Sequence, residues 1–369
     1  MRRRCLMISA SYPTLREPYR GIFIRHLAEC LSQKVDLTLL VPSPGGKGRP
    51  LPFEGGRVVS FPYWGERLKS YRRTPVLPSV SFLLSCLQRG LRLVRRADFL
   101  LVHWILPTGL IGAWLSRFFG VPLALYAHGS DVLDVAFRGR GMEFLAKWTV
   151  QRAGLVFGVN GGMVELLRSR FGASRVVLAP CGVLRKFFLV DRDPEYPPRI
   201  LFVGDLEERK GVETLLQAAE ILFRRGRNFY FDFVGEGRLR YVLEGIVARQ
   251  GWRERVRFWG ALPPAEVAGM LARARVFALP SWSEGCPVAA MEALAAGVPV
   301  VGTRIGGFYQ IVEEGRNGIL VPLRDPEALA DGIERALSLF PNSVSSTRVY
   351  SVEAWGEFLW QNLVETFRL

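Results

Sequence analysis

The residues from Pro280 to Pro299 read Pro-Ser-Trp-Ser-Glu-Gly-Cys-Pro-Val-Ala-Ala-Met-Glu-Ala-Leu-Ala-Ala-Gly-Val-Pro, with two carboxylates, Glu284 and Glu292, on either side of a small-residue turn. Pro287 suits the first turn of a helix, the alanine-rich run propagates it, and Gly297 suits the position just past its end. The helix N-terminus then opens at a strand edge, where unpaired backbone N–H groups with a partial positive charge can hold a phosphate without any side chain. A diphosphate is the expected guest. Carboxylates repel phosphate unless they face something else, and hydroxyls are the best candidates: Glu292 can accept from a ribose diol, Glu284 from a hydroxyl of a sugar. The other reading makes both glutamates ordinary helix-start acids that complement the dipole.

A second stretch, Phe202-Val-Gly-Asp-Leu-Glu-Glu-Arg-Lys-Gly-Val-Glu-Thr-Leu-Leu, again runs strand, loop and helix, with Arg209 and Lys210 at the turn. Cations there would neutralise a leaving diphosphate. No Asp-x-Asp pair or His cluster offers itself as a metal site, so no metal is expected and fixed positive charge must serve instead. In a third stretch, Tyr126-Ala-His-Gly-Ser-Asp-Val, His128 ends a strand and Gly129 lets a ligand approach closely. A lone His is more often structural. This one, among three in the chain, stands at the strand edge where ligands of such sheets bind.

The elements that must position these residues alternate. In the first half the strands expected are Arg4 to Ser9, Leu37 to Val41, Phe99 to Val102, Leu123 to Ala127 and Leu155 to Val159. In the second they are Arg199 to Val203, Tyr230 to Val234, Val256 to Trp259, Val276 to Ala278 and Val300 to Gly302, with amphipathic helical patterns between them. Alternation of this kind calls for parallel sheets with right-handed crossovers. At 369 residues the chain exceeds one ordinary core. The proline-rich stretch Asp191 to Pro198 divides it into an N-terminal domain, 1–190, and a C-terminal domain, 191–350. The fold class expected is α/β, two Rossmann-like domains facing a cleft. Trp355, Phe358, Leu359 and Leu363 recur at helical spacing, so a last helix within 351–369 needs an apolar surface and is expected to pack back toward the first domain.

The net charge of +15 is one-sided: residues 1–190 hold 28 Lys and Arg against 10 Asp and Glu, and residues 191–369 hold 21 against 24. Basicity confined to the first domain points to a large anionic surface there, or to a soluble Arg-rich one. Five cysteines without any CxxC indicate neither a disulfide framework nor a zinc site, and a reducing cytoplasm fits best. The apolar run Phe99 to Leu115 approaches the length of a membrane span, but Pro107 and the Pro-Thr-Gly turn divide it. A buried strand followed by a helix from Thr108 accounts for the same residues.

Taken together, these stretches resemble the retaining glycosyltransferases of family 4, whose fold is GT-B, and the similarity covers almost the whole chain. The Glu-x7-Glu signature matches Glu284 and Glu292. The resemblance implies that Glu284 and the backbone of Gly285, Cys286, Pro287 and Val288 hold the donor sugar and phosphate, and that Glu292 binds the ribose. It assigns Lys210, in Gly204 to Gly211, to the diphosphate, sets His128 near the reacting face of the sugar, and places Gly21, in the loop after the first strand, near the diphosphate. The nucleotide base is expected against the backbone of Trp259, Gly260, Ala261 and Leu262. The donor implied is a nucleotide-diphosphate sugar, UDP or GDP, used without a metal and with retention by a front-face route. Three departures stand out: Asp205 where the family often has Arg, with Arg209 as the candidate to compensate; Cys181-Gly-Val-Leu for Asn-Gly-Val-Asp; and Gly306-Gly-Phe-Tyr-Gln310 for Gly-Gly-x-x-Glu.

The acceptor expected is a saccharide or lipid-linked saccharide, in cell-surface polysaccharide or glycolipid synthesis. From Tyr63 to Arg96, aromatic and aliphatic residues alternate with Arg67, Lys69, Arg72, Arg73, Arg89, Arg92, Arg95 and Arg96. That composition suits a peripheral protein on an anionic membrane surface, at the inner face of the cell membrane. It suits equally an amphipathic helix packed on the sheet with a solvated basic face. A soluble small-molecule acceptor is the alternative. Two other classes fit less well: a nicotinamide dehydrogenase, because Gly235-Glu-Gly-Arg-Leu-Arg lacks the third glycine of the dinucleotide fingerprint, and a nucleic-acid binder, because no helix-turn-helix, zinc or aromatic RNA-binding pattern accompanies the charge. No nucleic acid is expected.

Overall fold

The computed structural model describes residues 2–46, 48–65, 75–129, 131–132, 139–339 and 349–369. Its chain forms two compact units, one of Met1–Gly182 with Val352–Leu369, the other of Val183–Ser351.

The first unit is built on seven strands: β1 Arg4–Ile8, β2 Asp36–Pro44, β3 Gly56–Tyr63, β4 Phe99–His103, β5 Leu123–Ala127, β6 Leu155–Gly158 and β7 Val176–Leu178. They pair in parallel in the order β3-β2-β1-β4-β5-β6-β7. Between them run α1 Ile22–Ser32, α2 Val76–Val94, α3 Leu110–Phe119, α4 Arg140–Gln151 and α5 Gly161–Ser169. Every residue of β4 and β5 is buried, as continuous apolar strands covered on both faces must be. The apolar run from Phe99 is thus β4, an irregular turn and α3, and among the described residues no helix is long and apolar enough to cross a membrane.

The second unit has six strands: β8 Arg199–Val203, β9 Tyr230–Val234, β10 Val256–Gly260, β11 Val276–Leu279, β12 Val300–Thr303 and β13 Gly318–Val321. Their order is β10-β9-β8-β11-β12-β13, all parallel. The helices are α6 Val212–Arg224, α7 Arg240–Arg249, α8 Pro264–Arg273, α9 Val288–Ala295, α10 Gly306–Tyr309 and α11 Pro326–Ala336. Asp325 caps α11, its carboxylate accepting from the Ala328 N–H at 2.9 Å, with Pro326 at the first helical position. In both sheets the order reverses direction once, between β1 and β4 and between β8 and β11. Loops at the carboxyl ends of those strands flank the crevice where ligands of open α/β sheets bind.

The crossing between units falls at 182/183, eight residues before the boundary expected at 190. Val183 and Phe187 are buried in the second unit's apolar core, so the segment before the proline-rich stretch already belongs there. The last helix, α12 Val352–Phe367, packs on α1 in the first unit. Its Trp355 indole donates to the Tyr126 hydroxyl at 2.9 Å, and that hydroxyl donates to the Ala179 carbonyl at 2.5 Å. Ion pairs Lys34–Glu357 and Arg175–Glu365, at 3.0 and 2.7 Å, lie on its exposed side and add little.

Candidate functional site

In the second unit the loops after β8 and β11 meet at the reversal of strand order. Gly211 makes this possible. Its φ is +68, and a Cβ on it would lie 2.0 Å from the Pro280 carbonyl oxygen, so no side chain fits between the two loops. The Trp282 N–H donates to the Arg209 carbonyl at 2.8 Å, and the close approach brings the Lys210 ammonium to 2.5 Å from Glu284 Oε1. The pair is largely buried, with 15% and 8% of the side chains exposed. Ser281 donates to the same carboxylate oxygen at 2.8 Å, and the Thr303 hydroxyl donates to the Ser281 carbonyl, which ties the turn to β12.

Behind this turn stands Gly307, where a Cβ would lie 2.9 Å from both the Glu284 carbonyl and Pro287 Cδ. Gly307 is therefore a packing requirement of the glutamate turn. Pro287 is the residue before α9, one position earlier than the sequence pattern placed it, and Gly297, at φ +74, follows the helix end. The Val288 N–H is taken by the Cys286 carbonyl at 3.0 Å, and Cys286 Sγ packs 3.4 Å from Met291 Sδ. Ala289 and Ala290 then present first-turn N–H groups that α9 itself cannot satisfy.

Glu292, in the second turn of α9, is half-buried and, among the described residues, makes no hydrogen bond or ion pair. Desolvation pushes its carboxyl up to about 8. A desolvated acid without a partner is costly unless a ligand supplies one. It is the one glutamate of the pair whose acceptor capacity is unspent; Glu284 has already accepted from Lys210 and Ser281.

Arg209 differs from the expectation. Its guanidinium, half exposed, pairs with Asp205 at 3.0 Å and Glu207 at 3.3 Å, so the acid that replaces the family's Arg also engages the cation proposed to compensate. Asp205→Asn is expected to free Arg209 and lower the donor KM about threefold, the worth of one exposed ion pair, as measured by steady-state kinetics. Two cations remain near the turn: Lys210, and Arg324, which the sequence did not single out. Arg324 adopts φ +56 and lies 4.0 Å over the Trp282 ring.

At the end of β10, the Trp259 indole donates to Asp232 at 2.7 Å, and the same buried carboxylate takes Arg199 at 2.7 Å. Gly260 accepts from the Gly235 N–H at 2.8 Å, which leaves Ala261 and Leu262 as the backbone that continues beyond the ladder. Of the four residues expected beside the base, Trp259 and Gly260 are thus engaged within the strand and its neighbours. The only Asp-x-Asp spacing, Asp191 and Asp193, lies exposed in the linker, and among the described residues no group of three His, Cys, Asp or Glu could hold a metal.

In the first unit, Gly21 precedes α1 with φ +63, and His128 follows β5. Phe23, the second residue of α1, stands beside His128, with ring centroids 5.1 Å apart. The buried Asp131 carboxylate accepts from the N–H groups of Ile105 at 2.8 Å, Gly129 at 2.9 Å and His128 at 3.2 Å, which clasps the loops after β4 and β5. Sequence reasoning missed His103, whose Nδ1 lies 2.8 Å from His128 Nε2. Burial lowers the His103 imidazole to about 3, so it is neutral, and among the described residues its Nε2 has no hydrogen-bond partner. An orphaned buried N–H costs more than an orphaned lone pair, so the proton belongs on Nδ1, which donates to His128. His103→Phe keeps a ring in the stack and removes this donor. It is expected to lower kcat about tenfold, the worth of one hydrogen bond, with donor KM within about twofold in the same assay.

Two parallel-sheet Rossmann-like units with these loops define the GT-B class of α/β proteins. The glycosyl transferases group 1 family matches residues 197–338, and the glycosyl transferase 4-like domain matches residues 21–182. Among relatives, the alpha-D-kanosaminyltransferase of Streptomyces kanamyceticus is 28% identical over 341 residues, 81% of this chain and 88% of that protein. An uncharacterized glycosyltransferase of Methanocaldococcus jannaschii is 27% identical over 256 residues, 69% of this chain and 70% of that one. An amylovoran biosynthesis glycosyltransferase of Erwinia amylovora is 37% identical over 152 residues, 39% of this chain and 37% of that one. Among solved structures, sucrose-phosphate synthase from Thermosynechococcus elongatus aligns with a TM-score of 0.75 at 19% identity over 100% of both chains. Anabaena HepE in complex with UDP-glucose aligns at 0.74 and 16% identity over 98% of this chain and 99% of its own. The chain belongs to the group 1, family 4-like glycosyltransferases.

Proposed function

We propose that the protein moves a sugar, with retention and without a metal, from a nucleotide-diphosphate sugar to a saccharide or lipid-linked acceptor in cell-surface polysaccharide or glycolipid synthesis. The observation that carries this is the grouping of the Lys210–Glu284 pair, the unpartnered Glu292 and the open first turn of α9 at one reversal of strand order. A diphosphate would lie on the Ala289 and Ala290 N–H groups beside Lys210, with the ribose hydroxyls donating to Glu292. Glu284 offers its remaining lone pairs to a hydroxyl of the sugar. UDP or GDP is the nucleotide proposed, read by the backbone of Ala261 and Leu262. Structural neighbours solved in complex with UDP and UDP-glucose, and relatives named for amylovoran and colanic acid biosynthesis, support the donor and the acceptor class.

In the step proposed, the acceptor hydroxyl oxygen bonds to the anomeric carbon as the bond from that carbon to the phosphate oxygen breaks. The departing oxygen keeps the electron pair and takes the acceptor's proton, on the same face of the sugar. Lys210 and the α9 N-terminus stabilise the developing charge, the role a divalent cation plays elsewhere. Proton NMR of the transfer product is expected to show the donor's anomeric configuration, and EDTA is expected to leave turnover within about twofold. An inverted product would reject the front-face route, and a loss of activity restored by magnesium would reject metal independence.

A further inference from the structure

Helix α2 is apolar on two faces. Phe82, Cys86, Gly90 and Val94 are buried against the sheet, as the inner stripe of a covering helix should be. The opposite stripe, Leu77, Val80, Leu84, Gln88, Leu91 and Arg95, recurs at three- and four-residue steps and faces outward, with Leu77 69% and Leu84 62% exposed. The exposed apolar surface does not stop at this helix. On α3, packed beside α2, Trp114 and Phe118 are 45% and 68% exposed, with ring centroids 5.4 Å apart. On α4, packed beside α3, Phe144 is 66% exposed, and Trp148 lies 6.2 Å from Trp114. Three neighbouring helices thus each show solvent exposed Leu, Trp or Phe, more than singly scattered apolar residues would place there.

The charge left unpaired on these helices has one sign. Among the described residues from 75 to 152 the acids are Asp98, Asp131 and Glu143, and each is engaged: Asp98 by Arg4, Asp131 by three backbone N–H groups, Glu143 by Arg170. Arg89, Arg92, Arg95, Arg117, Lys147 and Arg152 form no ion pair with any described residue. Two of them stand against the aromatic rings themselves, Arg95 at 6.0 Å from the Phe119 centroid and Arg152 at 5.3 Å from that of Trp148. Of the basic segment read from the sequence, Arg67, Lys69, Arg72 and Arg73 lie outside the described residues. The surface therefore stands on the three helices and does not need them.

We infer that the α2–α3–α4 face of the first unit docks the protein on an anionic lipid bilayer. The core of a protein interface is depleted of charge, whereas here cations flank and interleave the apolar stripe. A nucleic acid would use the cations and leave Leu77, Val80 and Leu84 in water. A bilayer surface uses both: aromatic and aliphatic side chains enter the headgroup boundary, arginine stems lie along them, and the guanidinium groups meet anionic headgroups. The inference concerns where the protein sits and does not depend on the donor chemistry.

Flotation of the full chain with phosphatidylcholine vesicles, with and without about one third phosphatidylglycerol, tests it. Binding to the anionic vesicles is expected to exceed binding to the neutral ones at least about tenfold and to fall in high salt. Leu77→Glu with Leu84→Glu changes exposed positions only, and Arg89→Gln with Arg92→Gln and Arg95→Gln leaves the apolar stripe intact. The second set is expected to weaken binding about a hundredfold, three near-surface charges having been removed. Far-UV circular dichroism and release of nucleoside diphosphate from the donor are expected to match wild type for both sets. Equal binding to neutral and anionic vesicles, wild-type binding by both sets, or capture of RNA or protein with no vesicle binding would overturn the inference.

Discussion

Lys210→Ala is expected to lower kcat for transfer about a thousandfold, ~4 kcal/mol of barrier, with the loss seen in release of nucleoside diphosphate under saturating donor. The ammonium is the cation closest to the glutamate turn, and Arg209 is spent on Asp205 and Glu207. The variant also leaves Glu284 buried and unpaired, a change that costs about 3 kcal/mol of stability or more. Two comparisons separate the effects. Glu284→Gln with Lys210→Ala relieves the stranded carboxylate, so the double variant is expected to regain most of the lost stability, by denaturant titration, and almost none of the rate. Recovery of rate along with stability would make Lys210 a structural partner of Glu284 rather than a group that acts on the leaving phosphate.

Glu292→Gln is the second large change. One amide oxygen replaces a carboxylate offered to two hydroxyls, so the donor KM is expected to rise about thirtyfold, ~2 kcal/mol, with kcat changed much less. The free protein carries an independent signature of the same residue. The folded-state carboxyl is raised from 4.5 to about 8. Between those values the folded state holds a proton that the unfolded chain has released. The stabilising contribution is therefore complete below about 4.5 and is lost as the pH climbs through about 8. Glu292 is only half-buried, so the loss is on the order of 2 kcal/mol rather than the full value of the shift. Denaturant titration at pH 5, 6.5 and 8.5 is expected to show this decline in wild type and a flatter profile in Glu292→Gln. A wild-type profile as flat as the variant's would mean that the carboxyl is better solvated or partnered than the structure has it.

Much of the fold was legible because parallel strands buried on both faces leave short, continuous apolar runs between helical patterns. Nine of the strands announce themselves in this way, and a tenth, the edge strand β10, shows through Val256, Phe258 and Trp259 alone. Three do not. β3, Gly-Arg-Val-Val-Ser-Phe-Pro-Tyr, is an edge strand whose polar residues and Pro62 face outward. β7 is three residues long at the other edge, and β13 opens on Gly318, in contact with the Val300 carbonyl. Edge strands such as β3 lack the double burial that produces the signal, whereas β13 is buried throughout but is only four residues long and opens on a glycine.

The site divides along the same line. The spacing of Glu284, Pro287, Glu292 and Gly297 within one turn and helix can be read from local rules. What joins Lys210 to Glu284, 74 positions apart, is the contact of Gly211 with Pro280, and what joins His103 to His128 is the register of β4 beside β5. Neither contact leaves a periodic trace. His103 was hidden for a further reason: it ends an apolar strand, and a buried neutral imidazole there reads as core. The pairing of Arg209 with two nearby acids, Asp205 and Glu207, shows only once the loop has a shape.

The central claim is that the loops after β8 and β11 hold the diphosphate of a nucleotide sugar. It is tested most directly by offering the full chain UDP, GDP and ADP sugars in turn and measuring nucleoside diphosphate release by wild type and Lys210→Ala side by side. The account predicts that one UDP or GDP sugar is turned over by wild type about a thousandfold faster than by the variant. No release from any donor in the panel, or equal release by the two proteins, would contradict it.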